Sequence, residues 1–265
     1  MVSNSLSEHR VKTKGILPPC SIAVSRNENV AITECFRNQI HVFDCMWTHL
    51  KTIGNKNSTG DELIKRPLSV AFAESGDVVV IHGWNRSNLR RKMSIFTEHD
   101  EFVMHLTDHL NHPRSVSVAA NGDLILCDLD KVKVLSPDGK ELKRTIRCPF
   151  DEAPTSAIRH QDVLYVLFAA KCCVGVFKNG RFDNYFGRKG SVGQLLELTD
   201  LTIDSHGNII VCDKGNKRIQ VFSLSGKFLY SVNKGLKRPL GVAIAKDGDS
   251  LLCDSISVRV LSLDP

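Results

Sequence analysis

One unit recurs along this chain, and its period leaves little freedom of architecture. A proline or leucine opens an apolar alternation. A polar turn follows, and then a second apolar run. The openings fall at Pro19, Pro67, Pro113, Pro154, Leu198 and Pro239, spaced 48, 46, 41, 44 and 41 residues apart. The turns read RNEN, ESGD, ANGD, RHQD, SHGN and KDGD. Third runs follow as QIHVF, MSIF, VKVL, VGVF, RIQVF and VRVL. The clearest copy is 198–232, where four short apolar runs alternate with turn signals, the pattern of a four-stranded antiparallel meander. A single such sheet cannot bury both of its faces. A repeat of this length made only of strands builds a β-propeller, one four-stranded blade per copy. The expectation is therefore an all-β, six-bladed propeller forming one domain over residues 1–265.

The ends support closure. The last copy stops at its third strand, Val258–Leu263, and a spare strand, Arg10–Lys14, precedes the first opening. An N-terminal strand completing the last blade joins the termini and removes exposed edges.

Composition narrows the function classes. Hydrophobic residues make up 42% of the chain, enough for a core. No apolar run approaches the roughly 20 residues of a membrane helix, so no membrane partner is expected. The first ten residues hold no apolar stretch, so no secretory leader is expected. The nine cysteines include no CxxC pair and are read as reduced thiols, hence a cytoplasmic location. Cys127, Cys212 and Cys253 occupy equivalent positions, each before an Asp. Equivalent positions on different blades are far apart, so these read as buried second-strand residues, with the Asp bonding loop amides. Cys172 and Cys173 read as one buried and one exposed thiol.

The segments GNIIVCDKGNKRIQVF, ANGDLILCD and RPLGVAIAKDGDSLLCD resemble NHL repeats. The whole chain resembles the C-terminal six-bladed domain of the tripartite-motif NHL family, of the Brat and Lin-forty-one type. That resemblance implies single-stranded RNA binding on one propeller face, U-rich by expectation, or protein docking, in post-transcriptional repression. It also implies a longer parent protein. Blades two and four lack the Asp-x-x-Asn loop of the family pattern.

A catalytic reading finds little support. Zinc lyases and calcium-dependent lactonases on related propellers need several ligands converging on the central channel. The channel-lining positions read as Cys20–Ser21, Leu68–Ser69, Arg114–Ser115, Thr155–Ser156, Thr199–Asp200 and Leu240–Gly241, with one carboxylate and no histidine. No nucleophile motif, P-loop or dinucleotide fingerprint occurs. No catalytic residue, metal or cofactor is assigned.

Charge is more informative. The net +6 hides an uneven distribution. Loops between blades and between second and third strands share one face. They carry Arg37, Lys51, Lys65, Arg66, Arg86, Arg90, Arg91, Arg114, Lys131, Arg147, Lys171, Lys214, Lys217, Arg218, Lys237 and Arg238. Acids lead on the opposite face, among them Glu74, Asp77, Asp123, Asp138, Asp204 and Asp247. Such a molecule suits a polyanion on one side. Single strands also need stacking platforms beside a cationic track. Trp84 with Asn85, Arg86, Arg90 and Arg91, and Phe36 with Arg37 and Asn38, supply both. Asn38, Asn85 and Asn216 are the candidates to read bases. Arg66, Arg114, Lys131, Lys214, Lys217, Arg218, Lys237 and Arg238 would position phosphates. Packing between blades is the other reading of Phe36 and Trp84, and a solvated face is the other reading of the charges. The rival function is a monomeric protein-interaction module serving a ubiquitin ligase or repression factors.

Overall fold

The structure is a computed structural model, and it describes residues 8–11, 18–54, 64–83, 91–106, 108–189, 194–233 and 235–262. The architecture expected from the repeat is what forms. Blade one holds β2 (Pro19–Val24), β3 (Val30–Glu34), β4 (Gln39–Phe43) and β5 (His49–Ile53). Blade two holds β6 (Ser69–Phe72), β7 (Val78–His82), β8 (Lys92–Phe96) and β9 (Phe102–Leu106). Blade three holds β10 (Pro113–Val118), β11 (Leu124–Asp128), β12 (Lys131–Leu135) and β13 (Leu142–Arg147). Blade four holds β14 (Ser156–His160), β15 (Val163–Phe168), β16 (Cys173–Lys178) and β17 (Arg181–Phe186). Blade five holds β18 (Leu198–Ile203), β19 (Asn208–Asp213), β20 (Arg218–Ser223) and β21 (Phe228–Val232). Blade six holds β22 (Pro239–Ile244), β23 (Ser250–Asp254) and β24 (Ser257–Leu261). Its fourth strand is β1 (Glu8–Val11), which runs antiparallel to β24 with Glu8 opposite Leu261 and Val11 opposite Val258. The closing strand thus lies slightly earlier than 10–14.

Turn chemistry sets the hairpins. The first-to-second turns of blades one, two, three, five and six each close with two backbone bonds, as in Ala73 N to Asp77 O and Gly76 N to Ala73 O. The donor of the inner bond must adopt positive φ. Glycine takes it at Gly76, Gly122, Gly207 and Gly248, whereas Glu28 takes it in blade one. The third-to-fourth ladders of five blades carry a register shift at the same place, at Phe43, Phe96, Leu135, Phe177 and Phe222. A bulge there bends the fourth strand and increases the local twist.

The core is not inside any blade. Six apolar clusters form, and each joins two neighbours. Ile125, Cys127 and Val132 of blade three meet Leu164, Val166 and Phe168 of blade four. Ile22, Ile32 and Phe43 of blade one meet Leu251, Cys253 and Val258 of blade six, which closes the ring. Every second strand is buried on both faces or nearly so, which is why it reads as a continuous apolar run.

Polar staples bind the first strands around the channel. Val70 N donates to Ser21 Oγ, and Val116 N donates to Ser69 Oγ. Ser117 Oγ donates to Ala157 O, and Ser156 Oγ donates to Asp200. Asp200 in turn accepts from Val242 N, and Thr199 Oγ1 donates to Pro239 O. At the closing junction Gly241 replaces a staple by close approach: a Cβ there would lie 3.2 Å from Ser21 Cα.

Removing residues 1–15 takes away the strand that covers β24 and leaves a three-stranded last blade. The truncated domain is expected to melt roughly 10 °C or more below the full chain. Equal melting temperatures in a calorimeter would show that β1 closes nothing.

Candidate nucleic-acid interface

In four blades the second strand ends in a residue that clasps the loop entering that blade. In blade five this is Asp213, fully buried. It accepts from Leu196 N at 2.7 Å, Arg218 Nε at 2.8 Å, Gln220 Nε2 at 2.8 Å and Asn216 Nδ2 at 2.9 Å. Asn216, Arg218 and Gln220 also donate together to Gln194 O. Asp128 does the same work in blade three, accepting from Asn111 N, His112 N and Lys133 Nζ. Asp254 in blade six accepts from Lys237 N and Arg238 N and faces Arg259. Blade one uses Glu34 with His41, and blade two uses His82, whose Nδ1 accepts from Lys65 N and whose Nε2 meets Ser94 Oγ. Burial and the neighbouring His105 and Lys92 charges push the His82 imidazole down to about 4, so it stays neutral at pH 7. The Asp that follows each paired Cys therefore bonds loop amides, as the sequence suggests. Cys127, Cys212 and Cys253 lie in three different inter-blade clusters.

These clasps reassign several candidate contacts. Asn216 and Arg218 turn inward to Asp213 and Gln194, so they hold the loop rather than present to solvent. Asn38 Oδ1 accepts from Arg66 N at 2.9 Å, which ties the second-to-third loop of blade one to the loop entering blade two. Arg37 reaches Glu34 at 3.3 Å and Lys214 reaches Glu197 at 2.9 Å. Lys131 lies 3.9 Å from Asp130. Lys51 belongs to the other face, where its ammonium meets the Thr97 and Glu98 carbonyls. Trp84, Asn85, Arg86 and Arg90 lie outside the described residues.

What remains on the basic face is substantial. Lys217, Lys237 and Arg238 are exposed, as are Arg114, Arg147, Lys171 and Arg188. None of these forms an ion pair among the described residues. Exposed apolar side chains stand beside them at the second-to-third loops: Phe36 (72% exposed), Leu129 and Ile256. Phe36 is therefore a surface side chain, not inter-blade packing. In blade four Tyr185 is 57% exposed and stacks edge-on with Phe150, over which the Lys171 ammonium sits at 6.0 Å.

The acidic face has a local explanation. Asp44, Asp138, Asp204 and Asp247 each accept a backbone N–H within their own hairpin turn. Others are paired: Glu74 with Arg26, Asp123 with Lys143, Asp183 with Lys178. Hairpin chemistry thus accounts for that side. No comparable folding role accounts for the exposed cations.

The channel is lined by the residues expected from the first strands except Gly241, together with Arg91 and residues further along those strands. Its carboxylate, Asp200, belongs to a half-buried residue, and desolvation pushes it up from 3.8 to about 6 against the opposing hydrogen bonds from Ser156, Val242 N and Leu201 N. Asp200 therefore serves as a staple. Among the described residues, no group of three or more His, Cys, Asp or Glu is placed to hold a metal ion. No described helix is long and apolar enough to cross a membrane.

Two expectations about cysteine are corrected. Cys20 and Cys35 are placed as a sulfur-to-sulfur pair, their Cα atoms 6.5 Å apart, rather than as two separate thiols. The pair sits across the bulged end of the β2–β3 ladder, a juxtaposition that a spacing of 15 residues does not reveal. Cys172 and Cys173 are both buried. Cys172 precedes β16 at φ 54° and packs near Leu195 and Leu198, so strand alternation does not apply to it.

Comparison with known proteins agrees with this geometry. Residues 195–222, the clasp of blade five and its flanking strands, match the NHL repeat. A stretch of 52 residues, 20% of the chain, is 38% identical to NHL-repeat-containing protein 4 of Homo sapiens and covers 42% of that protein's length. Among solved structures, the chain is similar to a streptogramin B lyase, with TM-score 0.67, 15% identity, and 98% and 97% of the two chains covered. It is similar to the WD40 β-propeller domain of Doa1, with TM-score 0.67, 12% identity, and 93% and 79% covered. It is also similar to virginiamycin B lyase from Staphylococcus aureus, with TM-score 0.66, 13% identity, and 98% and 99% covered. At these identities the likeness concerns the propeller fold.

Two predictions test the assignments. Arg218→Ala strands part of the buried Asp213 charge and is expected to cost about 2–3 kcal/mol in urea unfolding, whereas Lys217→Ala, one residue away, leaves stability unchanged. Similar losses for both would dismiss the clasp. Asp200 has a folded pKa raised above its unfolded value, so its contribution is complete below about pH 4 and is lost as pH rises through about 6. Asp200→Asn lacks that titration but leaves Val242 N without its carboxylate acceptor. Its stability deficit is therefore expected to narrow between pH 4 and pH 7, by up to about 3 kcal/mol at 1.4 kcal/mol per unit. A deficit constant with pH would show that Asp200 does not titrate in this range.

Proposed function

We propose that this propeller is a single-stranded RNA-binding module, using its basic face, with no catalysis of its own. The observation that supports it is the residue left over once folding is accounted for. Lys217, Lys237, Arg238, Arg114 and Lys171 are exposed and without ion pairs among the described residues, while the acids of the opposite face serve their own turns. Phe36 and Tyr185 add exposed π-faces beside that track. Cations on phosphates with aromatic platforms for bases are what a single strand requires, and each stacked base contributes about 1–3 kcal/mol. Arg37, Lys131 and Lys214 stand on the same face in a secondary role, since each already has an acidic neighbour. By resemblance to tripartite-motif NHL proteins, the module belongs to a longer cytoplasmic protein acting in post-transcriptional repression on U-rich messages.

One observation favours a second reading. Phe36, Leu129 and Ile256 put exposed apolar tips on loops of three blades of one face, a feature that also suits a protein partner such as a ubiquitin-ligase substrate or a repression factor. Fluorescence anisotropy with a short U-rich strand separates the two. RNA binding is expected to weaken with salt at a slope of roughly −0.7 per phosphate contacted. The Lys237→Glu, Arg238→Glu double variant is expected to lose about tenfold or more at low salt. A folded protein that ignores RNA at low salt leaves the protein-docking reading in place.

A further inference from the structure

The mouth of the central channel carries chemistry that neither the clasps nor the turns use. The channel encloses about 520 Å³. Several of its hydroxyls are committed: Ser21, Ser69, Ser117, Ser156 and Thr199 staple neighbouring blades. Arg91 and Arg114 line the same cavity, and Arg91 commits only one of its nitrogens to such a bond. Arg91 lies just before β8 and donates through one Nη to Pro113 O at 3.3 Å. Its Nε is buried with no hydrogen-bond partner. Arg114 opens β10 and is exposed. Neither arginine forms an ion pair among the described residues.

This arrangement is costly as it stands. An orphaned buried donor loses its water without compensation. Two guanidiniums near one another repel, and burial together with the Arg114 charge lowers the affinity of Arg91 for its own proton. His112 stands in the same field and is pushed down by burial and by both arginines, so it adds no relief. The ligand that removes these penalties is an oxyanion with more than one charge and several acceptor oxygens. A carboxylate offers one charge and two oxygens. A phosphomonoester carries close to two charges at neutral pH and three terminal oxygens, so it can engage both guanidinium forks. A phosphodiester within a strand carries only one charge, and its chain continues on both sides. It suits the open face better than an axial cavity.

We propose that the channel mouth is a binding site for a phosphomonoester, gripped by Arg91 and Arg114. The site shares Arg114 with the basic face, involves none of Lys217, Lys237 and Arg238, and goes beyond the RNA reading. Two sources share this chemistry: the phosphorylated end of a nucleic-acid strand, and a small free phosphate compound.

Calorimetric titration with inorganic phosphate and with a nucleoside 5′-monophosphate tests the site on the intact chain. One-to-one binding is expected, weakened about tenfold or more in Arg114→Gln. That residue is exposed and forms no side-chain hydrogen bond among the described residues, so the variant is expected to melt like the parent. Arg91→Lys keeps the charge and loses the fork, and is expected to bind more weakly than the parent. No saturable binding by the parent, or equal binding by Arg114→Gln, overturns the proposal. Matched short oligonucleotides with a 5′-phosphate or a 5′-hydroxyl then identify the source. Preference for the phosphorylated end, abolished by Arg114→Gln, points to a strand end. Equal affinity for the two, with phosphate binding intact, points to a small phosphate. Loss of RNA binding in Lys237→Glu, Arg238→Glu with phosphate binding retained would separate this site from the RNA track.

Discussion

Everything in this propeller depends on how one blade hands over to the next. No blade has a core of its own, so apolar burial is satisfied only when the neighbour is correctly placed. In blades two, three, five and six the buried side chain at the end of the second strand fixes that placement. It gathers amides of the loop arriving from the previous blade, which no strand ladder can satisfy. A buried carboxylate without such partners would cost several kcal/mol. With them it becomes a geometric constraint: Asp128, Asp213 and Asp254 each accept loop N–H groups and face a donor from the third strand, namely Lys133, Gln220 and Arg259. The pairing changes chemistry from blade to blade but keeps its place. Glu34 faces His41, and His82 faces Ser94. Blade four drops polarity altogether and sets Phe168 over Gly175, where a Cβ would stand 2.9 Å from the ring. A polar pair has there been exchanged for a well-filled apolar contact, a substitution that is often neutral in energy when both partners change together.

That constraint alters how the repeat signature bears on function. The Asp, Asn and Arg of blade five are the residues that make the repeat visible in sequence, and all three are consumed in holding residues 194–196. A signature shared among blades is an architectural one in this fold. Surface chemistry has to be sought among residues that the repeat does not require, such as Lys217, which takes positive φ beside the clasp and points its charge outward. The polarity of the molecule also looks different once turns are separated from faces. The acidic side follows from Asp residues closing hairpins. Part of the basic side also serves the fold, through Arg218, Lys214 and Arg37, but the exposed Lys217, Lys237 and Arg238 do not, and that remainder is what lends weight to an anionic partner.

Strand period, blade number, the closing strand and the channel lining were all legible in the sequence, because each follows from alternation and spacing. Less legible were contacts that a period does not encode. Asn216 and Arg218 sit in a polar loop and read as exposed, yet their partner Gln194 lies 22 and 24 residues upstream in a segment without regular pattern. Cys20 and Cys35 meet because a bulge shifts the β2–β3 register. Cys172 escapes strand alternation because it belongs to the turn. Lys51 lies on β5, whose first residues start from the acidic face, so loop membership alone misplaced it.

The channel brings these threads to one place. Its wall is polar, which in a different fold would invite a hydrophilic ligand along its whole length. Here several hydroxyls and Asp200 bond across blade boundaries, so much of the wall's polarity is already satisfied by the ring itself. At the basic mouth, among the described residues, two arginines lack acids and one buried donor lacks an acceptor. A repeat protein satisfies its own polar groups by symmetry, each blade supplying what the next needs. Arg91, whose Nε lacks a partner, is a departure from the repeat that lies at the channel, where a ligand has something to contribute.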